Sequence, residues 1–509
     1  MSARDNHQAE DLRRLRELLA EISDLNAATA LMHWDQQTYM PEGGIELRSQ
    51  QLATLSRLAH ERLVSPELAE LLERLEGSYD PSSEEGALVR VARRDHERAA
   101  RLPSRLVAQM ARAASEAEPV WVRARAASDW GAFAPHLERL LELKREAAEH
   151  LGYEEHPYDA LLDLYEPGAR KSRLEGLFEE LKAGILPLLR SIAPGGRAEE
   201  RSAPLVGDFD ERAQEEFGRA VLTDLGYDWS RGRQDRVVHA FCIDLGGPQD
   251  VRITTRFDPR RVDTALFTSM HEAGHAMYEQ GVSPSYARSP LAGGVSMGVH
   301  ESQSRLWENL VGRSRAFWEH YYPLLQKAFP GSPLERTDLE GFYRAINEVK
   351  PSPIRIDADE LTYNLHVLLR FELEVAMIEG RLAVPEIPEA WDAKMEEYLG
   401  VRPEKAAEGA LQDIHWADGL FGYFPSYSVG NVLSAQLFAA AVRARPEIPD
   451  EIGRGNFGPL RGWLSENVYR HGRRYEPDEL IERATGAPLS AAPYLDYLRE
   501  KFGALYGCR

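Results

Sequence analysis

The chain is poor in cysteine. Its only two, Cys242 and Cys508, lie far apart in sequence and in no C-x-x-C pattern, so neither a disulfide framework nor a cysteine-based metal site is indicated, and a reducing cytoplasm is the expected setting. Long apolar runs are also missing: none approaches the roughly 20 residues that span a bilayer. The opening MSARDNHQAEDLRRLRELLAEISDL is charged throughout and lacks the apolar centre of a secretion signal. There is no excess of positive charge. Lys and Arg total 61 against 82 Asp and Glu, a net charge of −21, which argues against nucleic acid or an anionic membrane as a partner. Repeats of fixed period and linkers are lacking too, so residues 1–509 read as a single unit rather than the several domains that length alone would suggest.

What the sequence does have is helical periodicity. LRRLRELLAEISDL repeats leucine or isoleucine every three or four residues, and similar amphipathic stretches follow near 45–77, 85–150 and 172–194. The exception is RVVHAFCIDLGGPQDVRITTRF, which predicts a hairpin of Val237 to Asp244 and Asp250 to Phe257 around GGPQ. IAPGGRAEE predicts a break near 193–200. The expected fold is mainly α, with an N-terminal helical cover over 1–200, a catalytic subregion over 201–509 and one small β-sheet.

The chemistry is concentrated in SMHEAGHAMYEQG, Ser269 to Gly281. On a helix, His271 and His275 lie on one face with β-carbons roughly 5–6 Å apart and can point at one ion. Glu272, turned about 100° around the axis, falls beside that ion's water and is a candidate general base. Such a site suits hydrolysis, because a zinc with three protein ligands keeps a position for water and lowers its pKa. HExxH alone is not specific. A third histidine in the H-E-x-x-H-x-x-G-x-x-H pattern is ruled out by Tyr278 and Gly281, and Glu279 lies about 12 Å along the axis from His271. The next helix, GVHESQSRLWENLVGRSRAFWEH, offers His300, Glu301 and Glu308; for Glu301 the competing reading is a salt bridge with Arg305.

Several further motifs, in this order, resemble the carboxypeptidase Taq family of metallocarboxypeptidases: HWDQQTYMP (33–41), DVRIT (250–254), HEAGH (271–275), HES (300–302), IRIDAD (354–359) and GALQDIHW (409–416). The resemblance implies that His271, His275 and Glu301 hold one divalent metal and that Glu272 serves as base and acid. It also implies a large helical fold with a deep central groove and release of single C-terminal amino acids from peptides. The family is commonly homodimeric. Zinc is the expected metal, with cobalt or manganese suiting the same donors. A related helical zinc oligopeptidase or dipeptidyl-acting enzyme, and a non-catalytic peptide-binding scaffold, are the alternatives.

An enzyme that trims C-termini needs positive donors for a free carboxylate, and Arg355, in the proline-ordered loop VKPSPIRIDADE, is the candidate; its competing reading is an ion pair with Asp357 or Asp359. His415, Tyr423 and Tyr427 are candidate donors to the oxyanion or to the substrate carboxylate. DVRIT is expected to offer a strand edge to an extended peptide, with Arg252 either assisting or pairing with Asp250. Trp34 and Tyr39 read as packing residues.

Overall fold

The computed structural model describes residues 3–192 and 202–508, and the break expected near 193–200 lies outside them. In the first 192 residues the described helices are α1 (Ala3–Thr38), α2 (Ile45–Leu63), α3 (Pro66–Leu75), α4 (Glu84–Arg101), α5 (Ser104–Ala127), α6 (Trp130–Leu151), α7 (Pro157–Leu162) and α8 (Lys171–Ser191). The stretch 85–150 is therefore three helices. Pro103 stops α4, and Ser128 turns into the left-handed region at φ 56° so that Asp129 can cap α6, accepting from Ala132 N at 3.1 Å. No described helix is long and apolar enough to cross a membrane.

Leucines of α1, α3 and α4 (Leu15, Leu68, Leu72, Leu88) close a small core with Tyr286 and Leu291 from far downstream. Helices α5, α6 and α8 instead share a core with Leu365, Trp391 and Leu498. A third core, with Met270, Met277, Trp307 and Leu437, surrounds the HEAGH segment.

The sheet differs from the expected hairpin. Its strands are β1 (Gln234–Arg236), β2 (Cys242–Asp244) and β3 (Val251–Thr255), in the order β1-β3-β2. Cys242 pairs antiparallel with Ile253, as a hairpin would have it, but β1 adds in parallel on the other side of β3. Val237 lies past the end of β1, its N–H still donating to Thr255 O at 3.0 Å, and Val238 is 71% exposed. Apolar alternation misses β1 because its sequence, QDR, is polar and is held by side chains: Asp235 is buried and accepts from Tyr39 Oη at 2.5 Å and Arg233 Nη2 at 2.6 Å. DVRIT is consequently the central strand, and the sheet edges are β1 and β2.

Helix α9 (Thr264–Gly281) carries HEAGH and is buried on nearly every side. Helix α10 (Met297–Arg305) starts on Ser296, whose hydroxyl accepts from Val299 N at 3.1 Å, and continues into a π-helical turn, Leu306–Gly312. Two glycines bring α10 close to its neighbours. A Cβ on Gly274 of α9 would meet the Gln303 carbonyl oxygen at 2.5 Å, and one on Gly430, in α12 (Pro425–Ala444), would meet Glu301 Cγ at 2.5 Å. Between them in sequence runs α11 (Tyr363–Ile378), also almost wholly buried.

Candidate metal centre

Helices α9 and α10 bring His271, His275 and Glu301 together, with one donor atom from each within 4.8 Å of the others. Glu301 Oε2 lies 3.6 Å from His271 Nε2 and 3.4 Å from His275 Nε2. A tetrahedral ion with bonds of about 2.0–2.1 Å needs donors roughly 3.3 Å apart, so these residues fit a divalent cation. Both readings of Glu301 coexist on different oxygens: Arg305 Nε donates to Oε1 at 2.6 Å, leaving Oε2 facing the histidines.

The charges suit ligation. Burial disfavours ionised Glu301, but Arg305, His271 and His275 outweigh it and hold the carboxyl well below its ordinary range. Burial drops His275 to about 3, so its imidazole is neutral, as a ligand must be. His271 is held up instead, because Glu301 and Glu308 outweigh its desolvation. Glu272 is buried, with no side-chain hydrogen bond among the described residues; desolvation, partly opposed by His271, pushes it up to about 7.

Arg355, His415, Tyr423 and Tyr427 form one cluster beside this centre. Arg355, in a short 3-10 turn (Arg355–Asp357), pairs with neither Asp357 nor Asp359: it donates to Asp413 from Nε at 3.1 Å and Nη2 at 2.8 Å, and to Tyr363 Oη from Nη1 at 2.8 Å. Three of its five N–H donors are thereby used. His415 Nε2 is 3.1 Å from Tyr427 Oη, and the His415 and Tyr423 rings are 5.5 Å apart. Burial, opposed by Asp413 and reinforced by Arg355 and Arg370, lowers His415 to about 4, while burial and the Glu301 charge raise Tyr423 to about 12; at neutral pH both are uncharged donors. Tyr363 connects the two groups, since the Arg305 guanidinium sits 4.4 Å over its ring. A cavity of about 440 Å³ opens along Arg305, Glu308 and Tyr363.

Arg252 lies apart from this cluster. It is engaged by Asp250 through two bonds, 2.9 and 2.7 Å, and covers the Trp34 ring at 4.3 Å. Trp34 packs as expected, at 6% exposure, whereas Tyr39 is 60% exposed and held chiefly by its hydroxyl. One residue that sequence reasoning left without a part is Glu308. Its Oε2 is 3.0 Å from His271 Nδ1, so it fixes the proton there and turns Nε2 toward the ion site. Glu308 is seven residues after Glu301, on the same helical face, and that spacing was the available signal.

A helical fold that closes on two histidines and a glutamate, with a buried carboxylate one residue along, defines a metallopeptidase. The profile of the carboxypeptidase Taq (M32) metallopeptidases matches residues 14–502, and the chain belongs to this family. It is 44% identical over 506 residues to thermostable carboxypeptidase 1 of Thermus thermophilus, covering 97% of this chain and 98% of that one. Carboxypeptidase 1 of Bacillus subtilis is 41% identical over 493 residues, covering 96% and 97%. The crystal structure of the M32 carboxypeptidase from Deinococcus radiodurans superposes with a TM-score of 0.94 at 44% identity, covering 98% of this chain and 100% of that one. The protein is thus a metallocarboxypeptidase, a hydrolase of peptides that works with a divalent metal.

Proposed function

We propose that residues 1–509 form one catalytic unit, a helical cover (1–200) on a metal-bearing subregion (201–509), that releases single C-terminal amino acids from peptides with broad specificity. The observation that carries this reading is Glu272, a buried carboxyl with no side-chain hydrogen bond among the described residues, beside the three converging donors. His271, His275 and Glu301 would hold a divalent cation, zinc by preference and cobalt or manganese by tolerance, which would supply Lewis acidity to the last peptide carbonyl and to water. Glu272 accepts a proton from the attacking water as the C–O bond forms, then passes it to the nitrogen as the C–N bond breaks. Tyr423, Tyr427 and neutral His415 donate to the carbonyl oxygen as it gains charge. Arg355 meets the terminal carboxylate with its two uncommitted N–H groups.

Arg252, committed to Asp250, acts through Trp34 and the sheet, and the strand edge beside the site for an extended peptide is that of β2. Cys242 and Cys508 are both free, which supports a reducing cytoplasm, and the family resemblance supports a homodimer. The test is a matched pair of peptides, one with a free C-terminal carboxylate and one amidated. Cleavage confined to the free peptide is expected; equal cleavage of both transfers the protein to the oligopeptidase reading.

A further inference from the structure

Two residues near the metal donors have no part in that account: Glu279, four residues after His275 on α9, and His300, next to Glu301 on α10. They are joined to His275 in a line. His300 Nδ1 lies 2.5 Å from His275 Nδ1, and on the other side of the ring His300 Nε2 lies 2.7 Å from Glu279 Oε1. The same Glu279 oxygen accepts from Gly294 N at 3.1 Å.

Ligation by His275 then dictates where the protons sit. A carboxylate only accepts, so His300 must present an N–H at Nε2. His275 turns Nε2 toward Glu301 across the ion site, and a cation held there needs that nitrogen bare, so the His275 proton sits on Nδ1. His275 Nδ1–H then donates to His300 Nδ1, which accepts as the bare nitrogen of the ring. The ring of His300 also has a prepared seat: a Cβ on Gly294 would come within 2.6 Å of its Cδ2, and the Tyr278 ring lies 5.4 Å away.

We propose that His300 and Glu279 are positioning residues that set the tautomer and orientation of His275, as Glu308 does for His271. The proposal rests on the reading of His271, His275 and Glu301 as cation donors. Glu279, too far along α9 to join the donors itself, thus acts on them through His300. Gly294 has a part as well, because any side chain there would displace the ring.

The test compares zinc dissociation constants, by competition with a chromophoric chelator, for wild type, His300→Asn, His300→Leu and Gly294→Ala. Loss of an outer partner of a ligand histidine costs roughly 10- to 100-fold in metal affinity, the fall expected for His300→Leu and Gly294→Ala. His300→Asn keeps an acceptor oxygen near the Nδ1 position and recovers most of that loss, which a purely structural role would not. A wild type that binds no zinc overturns the donor reading itself. A wild type that binds zinc, with His300→Leu binding equally well, overturns the relay alone. Should His300→Leu fail to fold, ¹⁵N spectra of histidine-labelled wild type decide: the relay requires His275 protonated at Nδ1 and His300 at Nε2, and the opposite tautomers contradict it.

Discussion

Arg355 is held by Asp413 in a two-bond pair, and Asp413's other oxygen accepts from the fully buried Arg370, whose Nε lies 2.7 Å away. Desolvation works against an ionised Asp413, yet the two arginines outweigh it and hold the carboxyl far below its usual range. Two cations against one anion leave one positive charge in a nearly dry pocket. The proposed contact with a substrate carboxylate would use that charge, and Asp413 fixes the direction in which Arg355 offers it.

Replacing Arg355 by alanine is expected to lower kcat/KM on free-carboxylate peptides by roughly 10- to 100-fold, the worth of a hydrogen bond to a charged group, with the loss mainly in KM. Metal content stays at the wild-type level, because no described contact links Arg355 directly to the three donors. Arg355→Lys does not restore activity, since one ammonium cannot span Asp413 and Tyr363 in the same way. Unchanged kinetics would remove Arg355 from the site.

Glu308→Ala removes the acceptor from His271 Nδ1 and leaves Arg313, which donates to Glu308 Oε1 at 3.2 Å, without that partner. Zinc affinity, measured by chelator competition, is expected to fall roughly 10- to 100-fold. Affinity equal to wild type would mean that the α9 backbone alone orients the ring.

Gly274→Ala forces a methyl into the carbonyl of Gln303 and the Cα of Ser304, 2.5 and 2.7 Å away. Backbone cannot rotate aside as a side chain can, so α9 and α10 must separate. Overpacking of this kind costs about 1–3 kcal/mol of stability, read from denaturant midpoints, and here metal affinity should fall with it because the donors sit on the two separated helices. A variant as stable as wild type with full metal affinity would contradict the packing described.

Glu166 reaches from the cover to the start of α10, accepting from Gly298 N. Burial, only partly offset by Ser426, Ser296 and Gly298, raises its carboxyl from 4.5 to about 7. Between those values the folded chain keeps a proton that the unfolded chain has lost, so this contribution to stability falls as pH rises. The stability of Glu166→Gln relative to wild type should therefore increase by up to about 3 kcal/mol from pH 4.5 to 8. Urea midpoints of the two proteins at both pH values check this; a pH-independent difference would show that folding leaves the Glu166 pKa unchanged.

Of the proposed metal donors, Glu301 was singled out only by the family resemblance of HES, whereas His271 and His275 were within reach of the sequence because spacing on a single helix defines a face. The mainly helical architecture was legible for the same reason, as periodic leucine. Features that depend on side chains from separate elements were not. Arg355 pairs with a residue 58 positions on, rather than with the aspartates beside it, since the loop around Asp413 folds back over the 3-10 turn. The strand β1 escaped because polar contacts with Tyr39 and Arg233 hold it, and hydrophobic alternation does not register those. His300 was visible as a candidate, but its partner depended on a 2.5 Å contact between helices.

The central claim is that Glu272 is the base of a reaction that removes one C-terminal residue at a time. Mass spectrometry of a mixed-sequence peptide, incubated with metal-loaded wild type and with Glu272→Gln of equal metal content, tests it most directly. The account predicts a ladder of single-residue losses with wild type and none with the variant. Internal or two-residue cuts, or an undiminished ladder with Glu272→Gln, would contradict it.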